Sequence, residues 1–314
     1  MINRKNSDWS EFYDDNNYSY YNGTIDYNTS YYIFNAVFSK FHDIVLLLHS
    51  SSSSSNILIE STLFHTNEAA GLGCNIHSSG LGSIIQKRIC AYNCTNKGIG
   101  QHCYILNWDS SISKNYNIES SYLNLGNSIG QSTIYHGSGE IIIKRINISC
   151  SKTDSGSVIQ LGQTNYEGNI TFSILNRNTA SYQHCLRLNS NKPYSIINCD
   201  IKNNTVLNQF IFAESGEFTF KDCIIIKNNA VNTFYGVESS KSILIHCYLE
   251  INGTFEFVEI ESLSASSFEN ELYFFKTAEC NVEKDLLEMN LHSKLISLFK
   301  LMLCKLNLIP TLLK

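Results

Sequence analysis

Five acidic or basic side chains in three aligned segments are the best candidates for acid–base chemistry. The segments are NCDIKNN from Asn198, DCIIIKN from Asp222 and HCYLEIN from His246. Alternate residues of a strand share a face, so the outward positions of these segments are predicted to form one patch. A carboxylate pair in such a patch can supply the acid and the base of glycoside hydrolysis. The candidate residues are Asp200, Lys202, Asp222, His246 and Glu250.

Apolar side chains interrupt this patch, because Ile224 and Ile226 fall on the same outward side. Such residues indicate a surface that a loop or a partner covers. Only Asp200 and Asp222 lie near one another, and they belong to different columns. Acid–base catalysis needs groups with matched pKa values in a water-accessible cleft. A solvated or binding surface is therefore the preferred interpretation, and catalysis is the alternative.

Three cysteines of the same segments are spaced for stacking, since Cys199, Cys223 and Cys247 are each 24 residues apart. Stacked thiolates can hold a metal, but the neighbours of these residues on the inward face are Ile and Leu. A buried Cys in such surroundings behaves as a small hydrophobic residue. The prediction is an inward column of thiols without a metal.

A second group of metal-ligand types comprises Cys90, Cys94, His102 and Cys103. It resembles a zinc site only loosely, because no paired C-x-x-C motif accompanies it. The sequence therefore predicts no metal site and no cofactor.

The spacing of the segments reveals an internal repeat of about two dozen residues. Ile201, Ile225 and Leu249 share the 24-residue period, and so do the asparagines at 204, 228 and 252. Looser copies recur upstream, and a second alternating stretch closed by Gly or Ser follows each copy. The predicted unit is a strand, an Asn-containing corner, a second strand and a polar turn. The corner Asn is expected to adopt left-handed backbone geometry and to hydrogen-bond to Asn in adjacent turns.

One such turn cannot bury its apolar face alone, so the turns must stack. The predicted fold is all-β: a right-handed parallel β-helix of about nine turns, followed by a short helical segment. A leucine-rich repeat shares the period and the Asn position. That fold requires Leu where this chain has Ile, Cys, Phe and Val, and its second half is helical.

Composition narrows the functional classes. Hydrophobic residues make up 43% and charged residues 16% of the chain, which can therefore form a core. The net charge of −5, without a Lys/Arg cluster, argues against nucleic acid as a partner. The eleven cysteines are an odd number in a long chain and predict no disulfide framework.

The sequence contains features of both intracellular and secreted proteins. The N-terminus shows no apolar stretch typical of a signal peptide, which would suit an intracellular scaffold. Sequons for N-glycosylation are nevertheless compatible with secretion. They begin at Asn17, Asn22, Asn28, Asn93, Asn147, Asn169, Asn203 and Asn252.

Three regions are expected along the chain. Residues 1–30 are polar and aromatic and are expected to cap the first turn, and residues 31–280 form the β-helix. Residues 281–314 are expected to form an amphipathic helix that caps the solenoid or lies at an interface. Lys300 and Lys305 make a membrane-spanning role costly for this helix. Its apolar stripe consists of Leu287, Leu291, Leu295, Leu298 and Met302.

The segments YYNGTIDYNTSYYIFNAVFSKFHD and GEFTFKDCIIIKNNAVNTFYG resemble the large families of right-handed β-helix repeat proteins of parasitic protists. Those families are similar to bacterial polymorphic outer-membrane proteins and to pectate-lyase-like and pectin lyase-like folds. The resemblance covers about residues 20–280 and rests on repeat texture. It implies a protein at the cell surface or secreted, and it brings no catalytic motif.

These observations together predict a non-enzymatic surface or secreted protein with an extended binding or adhesion face. The expected partner is a glycan or a protein of a host or cell surface. The alternative is a polysaccharide lyase or glycosidase on the same scaffold, since β-helix enzymes of this kind place their acid and base on an outer sheet.

Overall fold

A computed structural model describes residues 9–14, 18–20, 29–50, 52–108, 113–127, 129–182, 184–250, 255–270 and 272. Over these residues the chain is a parallel β-solenoid of about eight turns, which confirms the predicted all-β parallel β-helix. The turn count is close to the expected nine, because one sheet contains nine stacked strands and these are separated by eight steps.

Each turn has three main faces, and the strands of each face stack in parallel. Sheet I contains Ser19–Tyr20, Tyr31–Phe34, Asn56–Glu60, Ser83–Lys87, Lys114–Ile118, Glu140–Lys144, Gly168–Thr171, Tyr194–Ile197, the second half of Gln209–Lys221, Ser240–Ile245 and Val258–Ile260. Sheet II contains Val37–Ser39, Leu63–His65, Cys90–Tyr92, Ser121–Leu123, Asn147–Ser149, Ile174–Asn176, Asp200–Lys202, Ile224–Ile226 and Tyr248–Leu249. Sheet III contains Leu46–Ser50, Ile76–Gly80, Cys103–Asn107, Ile134–Gly137, Ile159–Leu161, Leu186–Asn189, the first half of Gln209–Lys221 and Asn232–Gly236.

Shorter elements lie beside these sheets. Glu68–Ala69 pairs with Thr95–Asn96, and Lys152–Thr153, Thr179–Ala180 and Thr205–Val206 form a third small ladder. Trp9–Glu11 is a 3-10 helix. None of the helices among the described residues combines the length and the apolar character needed to cross a membrane.

The short strands of sheet II are bounded by left-handed corners on both sides, which corrects the predicted repeat. Strand Ile224–Ile226, for example, lies between Asp222 (φ 51°) and Lys227 (φ 53°). The first predicted strand is thus two strands separated by a corner, and each turn has three main strands. The second corner is also shifted by one residue: Asn203 has a φ of 57°, whereas the next residue, Asn204, is buried.

The expected hydrogen bonds between asparagines of adjacent turns are confirmed. The Nδ2 atom of Asn178 donates to Oδ1 of Asn204 at 3.0 Å, and Nδ2 of Asn204 donates to Oδ1 of Asn228 at 3.0 Å. Each Nδ2 also donates to a main-chain carbonyl, that of Ile148, Leu175 or Ile201. Every side chain in the ladder therefore satisfies main-chain groups that the corner would otherwise leave unpaired. The third predicted member, residue 252, lies outside the described residues.

The inward direction of the cysteine column is confirmed as well. Cys199, Cys223 and Cys247 are at most 2% exposed, and Ile201 and Ile225 are in register on the same side. Each thiol donates to a carbonyl of the preceding turn, as Cys223 does to Ile196 at 3.3 Å. Burial raises the pKa of the Cys223 thiol well above its ordinary value, so this thiol is a neutral part of the core.

The N-terminal residues pack on the outer face of sheet I. Trp9 and Tyr13 form a second apolar cluster with Tyr32, Leu58 and Ile85, and strand Ser19–Tyr20 pairs with the strand of the first turn. These residues cover a face as well as an open edge of the solenoid. The expected helix at residues 281–314 lies outside the described residues.

Candidate functional site

The structure brings four of the five predicted acid–base residues together as two pairs. A carboxylate oxygen of Asp200 lies 2.6 Å from Nζ of Lys202. Nδ1 of His246 lies 2.7 Å from a carboxylate oxygen of Asp222. Asp222 and His246 occupy left-handed corners rather than the strands themselves. The side chain of Glu250 is exposed and joins neither pair.

A later segment, residues 264–270, crosses this patch. Nδ2 of Asn270 donates to Asp200 at 2.9 Å and to the carbonyl of Asp222 at 3.4 Å. The ring of Phe268 stacks on His246 with centroids 5.3 Å apart and planes 7° apart. Ile224 has no exposed surface although it points outward. The element that covers this face is therefore the chain itself, and the paired, covered carboxylates do not form an open acid–base cleft.

Three members of the second predicted group, Cys94, His102 and Cys103, are buried, whereas Cys90 is half-buried and disulfide-bonded. His102 is fully buried, with Nε2 2.8 Å from Oε1 of Gln86 and Nδ1 2.9 Å from Nδ2 of Asn75. These partners assign the proton to Nε2. Burial lowers the pKa of His102 and His136 to about 3 and raises the pKa of Cys103 to about 12. In the part of the chain that the structure describes, no group of three or more His, Cys, Asp or Glu side chains is placed to hold a metal.

The outer side of sheet III has a feature that the sequence analysis missed. One side chain from every turn points outward in strict register, and together they form what we term the sheet III column. Its members, in order along the solenoid, are Leu47, His77, Tyr104, Tyr135, Gln160, Arg187, Phe212 and Tyr235.

Aromatic rings dominate the column. Tyr104 and Tyr135 stack with centroids 4.6 Å apart and planes 12° apart, and His77 meets Tyr104 edge to face. Further along, Phe212 and Tyr235 stack at 5.9 Å. Burial raises the pKa of both Tyr104 and Tyr135, so their hydroxyl groups stay protonated and are able to donate and accept hydrogen bonds at neutral pH.

Two glycines allow the Tyr135 ring to lie close to the sheet. A Cβ atom at Gly162 would stand 2.8 Å from the phenol oxygen, and one at Gly137 would stand 3.0 Å from ring atom Cε1. Any larger residue at these positions would displace the ring. The absence of a side chain at Gly137 and Gly162 thus determines where the Tyr135 ring lies on the sheet.

The polar part of the column is held by specific contacts. Oε1 of Gln160 accepts from the Ser132 hydroxyl at 2.7 Å. Arg187 donates from Nε and Nη2 to one oxygen of Glu214, Oε2, at 3.0 and 2.8 Å. Glu214 is the extra residue where the register shifts between neighbouring strands, and this bulge presents its side chain to Arg187.

A groove of about 390 Å³ lies over the middle of the column. Tyr104, Tyr135, Gln160 and Arg187 line it, and Ile99, Gln131 and Ser155 form the rest of its wall. This volume is in the range of small-molecule sites. Aromatic rings beside a few oriented polar groups are suited to bind an uncharged or amphipathic ligand.

The signal for this column is present in the sequence. The second alternating stretches contain IHSSG, CYILN, IYHG, IQLG, LRLN, IFA and FYG. When they are aligned on their first, buried residue, the next position gives seven members of the sheet III column. The period-2 pattern of this strand thus indicates the outward column, as the same pattern does for the strand of sheet II.

No protein-family model, no curated protein and no solved structure matches this chain.

Proposed function

We propose that this protein is a non-enzymatic surface or secreted binding protein, and that the sheet III column binds a glycan chain. The observation that carries the proposal is the stacked pair of Tyr104 and Tyr135 in an open groove beside Gln160 and Arg187. Because the two rings cover one face of each other, a pyranose ring would pack its apolar C–H side on the remaining face of Tyr135. Its hydroxyl groups need oriented polar partners.

The spacing of the column suits an extended polymer. Adjacent strands lie about 4.8 Å apart, which is comparable to the advance per residue of an extended β-linked pyranose chain. A glycan that runs along the solenoid axis would place consecutive sugars on consecutive turns. Aromatic residues on both sides of the groove, His77 and Tyr235, extend the face beyond it.

The distribution of carboxylates supports binding over catalysis. Glycoside hydrolysis uses two carboxyl groups on either side of the scissile bond. Two carboxylates of the described residues adjoin the sheet III column, and neither lines the groove. Glu214 is engaged by Arg187, and Glu256 is exposed beside Tyr235, because Phe255 pairs with Phe234. Asp200 lies in sheet II and Asp222 at a corner beside it, where residues 264–270 cross them.

The accessibility of two sequons agrees with a surface or secreted protein. Asn93 and Asn203 lie at exposed corners, where an attached glycan would disturb no packing. The sequon at Asn147 is buried and would not tolerate one. These two exposed acceptor positions border sheet II and are away from sheet III.

The experiment is a glycan array followed by titration calorimetry with the oligosaccharides that bind. Tyr135→Ala is expected to weaken binding by about tenfold or more, because a stacked ring contributes on the order of 1–2 kcal/mol. Tyr182→Ala is the matched control, since Tyr182 is 58% exposed and lies outside the column. Equal affinity of the two variants would contradict the proposal.

The enzymatic alternative is tested with the same polymers. Incubation with charged and neutral polysaccharides is expected to yield no unsaturated products and no new reducing ends. Turnover by the parent that is lost on combining Asp200→Asn with Asp222→Asn would reject the binding protein in favour of the lyase or glycosidase.

A further inference from the structure

We infer that the groove on sheet III binds a neutral glycan rather than an acidic one, and that Arg187 and Glu214 together bind one pair of adjacent hydroxyl groups. This inference rests on the proposed function and specifies the ligand class of the same site.

The charge in the groove is balanced. Arg187 is the only charged side chain among the residues that line it, and Glu214 neutralises it through two hydrogen bonds to one oxygen. The remaining lining residues carry no charge at neutral pH. A protein with a net charge of −5 also offers no general attraction to a polyanion.

The Arg187–Glu214 pair has both a free hydrogen-bond donor and a free hydrogen-bond acceptor. Arg187 uses Nε and Nη2, which leaves the two hydrogens of Nη1 without a partner among the described residues. Glu214 uses Oε2, which leaves Oε1 without a side-chain donor in the same part of the chain. One group can only donate and the other can only accept.

A vicinal diol complements this arrangement. A hydroxyl group donates one hydrogen bond and accepts others, so one hydroxyl can accept from Nη1 of Arg187 while its neighbour donates to Oε1 of Glu214. Both contacts are charge-assisted, and such bonds are stronger than neutral ones. The ion pair remains intact when the ligand binds.

A sugar carboxylate fits the same site poorly. To bind Arg187 it must either displace Glu214 or lie beside an unneutralised carboxylate. Leaving one charge of a partly buried pair without its partner is unfavourable. Glu214 therefore acts as a selective element against acidic sugars.

Gln160 supports the same conclusion one turn away. Ser132 donates to its Oε1, which orients the amide so that Nε2 is the free group of this side chain. Gln160 and Arg187 are in register on adjacent strands. A second sugar can therefore receive an uncharged hydrogen bond from Gln160 while its ring packs on Tyr135.

The experiment compares a neutral oligosaccharide, such as a β-linked glucan or mannan hexamer, with an oligogalacturonate of equal length. Affinities are measured by calorimetry at about 0.05 M and 0.5 M NaCl. Neutral binding is expected, with a Kd that changes less than about twofold with salt, because no net charge is neutralised on binding. Thermal unfolding of every variant shows that it is folded.

Two variants distinguish the role of the pair. Arg187→Gln is expected to weaken neutral binding by about tenfold, as the loss of a charge-assisted hydrogen bond implies. Glu214→Gln is expected to weaken neutral binding and to create salt-dependent binding of the oligogalacturonate, since Arg187 is then unpaired.

The outcomes separate the two levels of the proposal. Salt-dependent binding of the oligogalacturonate by the parent, lost in Arg187→Gln, would overturn the inference and leave the glycan-binding function in place. Failure of Glu214→Gln to gain any affinity for the oligogalacturonate would also count against the inference. Binding of no glycan of either class would reject the proposed function itself.

Discussion

The phenol oxygen of Tyr135 lies over Gly162, so close that a Cβ atom on this glycine would stand 2.8 Å from it. The ring is held between this glycine and the parallel ring of Tyr104. The position of an aromatic side chain in the groove is thus determined by a residue of the next turn that has no side chain.

Gly162→Ala is therefore expected to impair both binding and stability. The new methyl group would displace the Tyr135 ring and weaken ligand binding several-fold. It would also stand 3.0 Å from Cα of Gly137, so the free energy of unfolding should fall by about 1–2 kcal/mol. Calorimetry and thermal unfolding measure the two effects. Gly71→Ala is the control, because a Cβ there meets only Cδ1 of Ile44 at an ordinary 3.6 Å. Equal binding of both variants would contradict the assigned role of Gly162.

The interior of the solenoid should not accept a charge. Ile225 is 1% exposed and belongs to the core, so Ile225→Asp is expected to destabilise the protein by about 4 kcal/mol or more, or to prevent folding. Asp222→Asn should have little effect, because its partner His246 is 59% exposed and exposed pairs contribute little. Chemical denaturation measures both, and similar midpoints would show that the inward face has been assigned wrongly.

The asparagine ladder should contribute strongly to stability. Asn204 accepts from both nitrogens of Asn178 and donates to Asn228 and to the carbonyl of Leu175. Asn204→Ala would leave several buried groups unpaired and is expected to cost about 2–4 kcal/mol. Asn176→Ala provides the control, because the Oδ1 atom of Asn176 accepts a hydrogen bond at an exposed position. A cost below that of the control would mean that the ladder is not stabilising.

Stability should decrease as the pH falls below about 6.5, because of the buried histidines. Burial lowers the pKa of His102 and His136 from 6.5 to about 3. The unfolded chain therefore binds protons in this interval while the folded protein does not. The free energy of unfolding is expected to be unaffected by these groups above pH 6.5 and to fall toward pH 3, by up to about 1.4 kcal/mol per pH unit for each histidine.

His136→Gln tests this dependence. The slope of unfolding free energy between about pH 5 and 6 should fall by up to about 1.4 kcal/mol per pH unit relative to the parent. The same substitution at His42, whose side chain is 81% exposed, controls for the loss of an imidazole. An unchanged slope in His136→Gln would show that His136 is not held neutral.

The periodic part of the fold could be predicted from the sequence because it is repeated. Cys199, Cys223 and Cys247 occupy one inward column. Asparagine recurs at equivalent positions of adjacent turns where the side chains hydrogen-bond to each other. The left-handed corners could not be predicted from residue type, because residues such as Arg88, Glu119 and Phe172 adopt the left-handed conformation there. There the stacking of turns, and not the residue type, imposes the backbone geometry.

The candidate site was hidden for a related reason. Equivalent positions in the sheet III column are occupied by different residue types. A search for repeated residues therefore does not detect Tyr135, Gln160 and Arg187. The covering of sheet II could be predicted only in part. Ile224 indicated that something lies on this face, but the contact of Asn270 with Asp200 joins residues 70 positions apart, and no local pattern predicts it.

The strict register of the sheet III column gives this face of the molecule side chains at equal intervals. The interval between its side chains is fixed by main-chain hydrogen bonds at about 4.8 Å per turn, whichever residue occupies a position. A substitution at one position can therefore change the ligand specificity there without changing the spacing between the contacts that the ligand makes. Affinity is expected to rise stepwise with ligand length until the ligand reaches the end of the column.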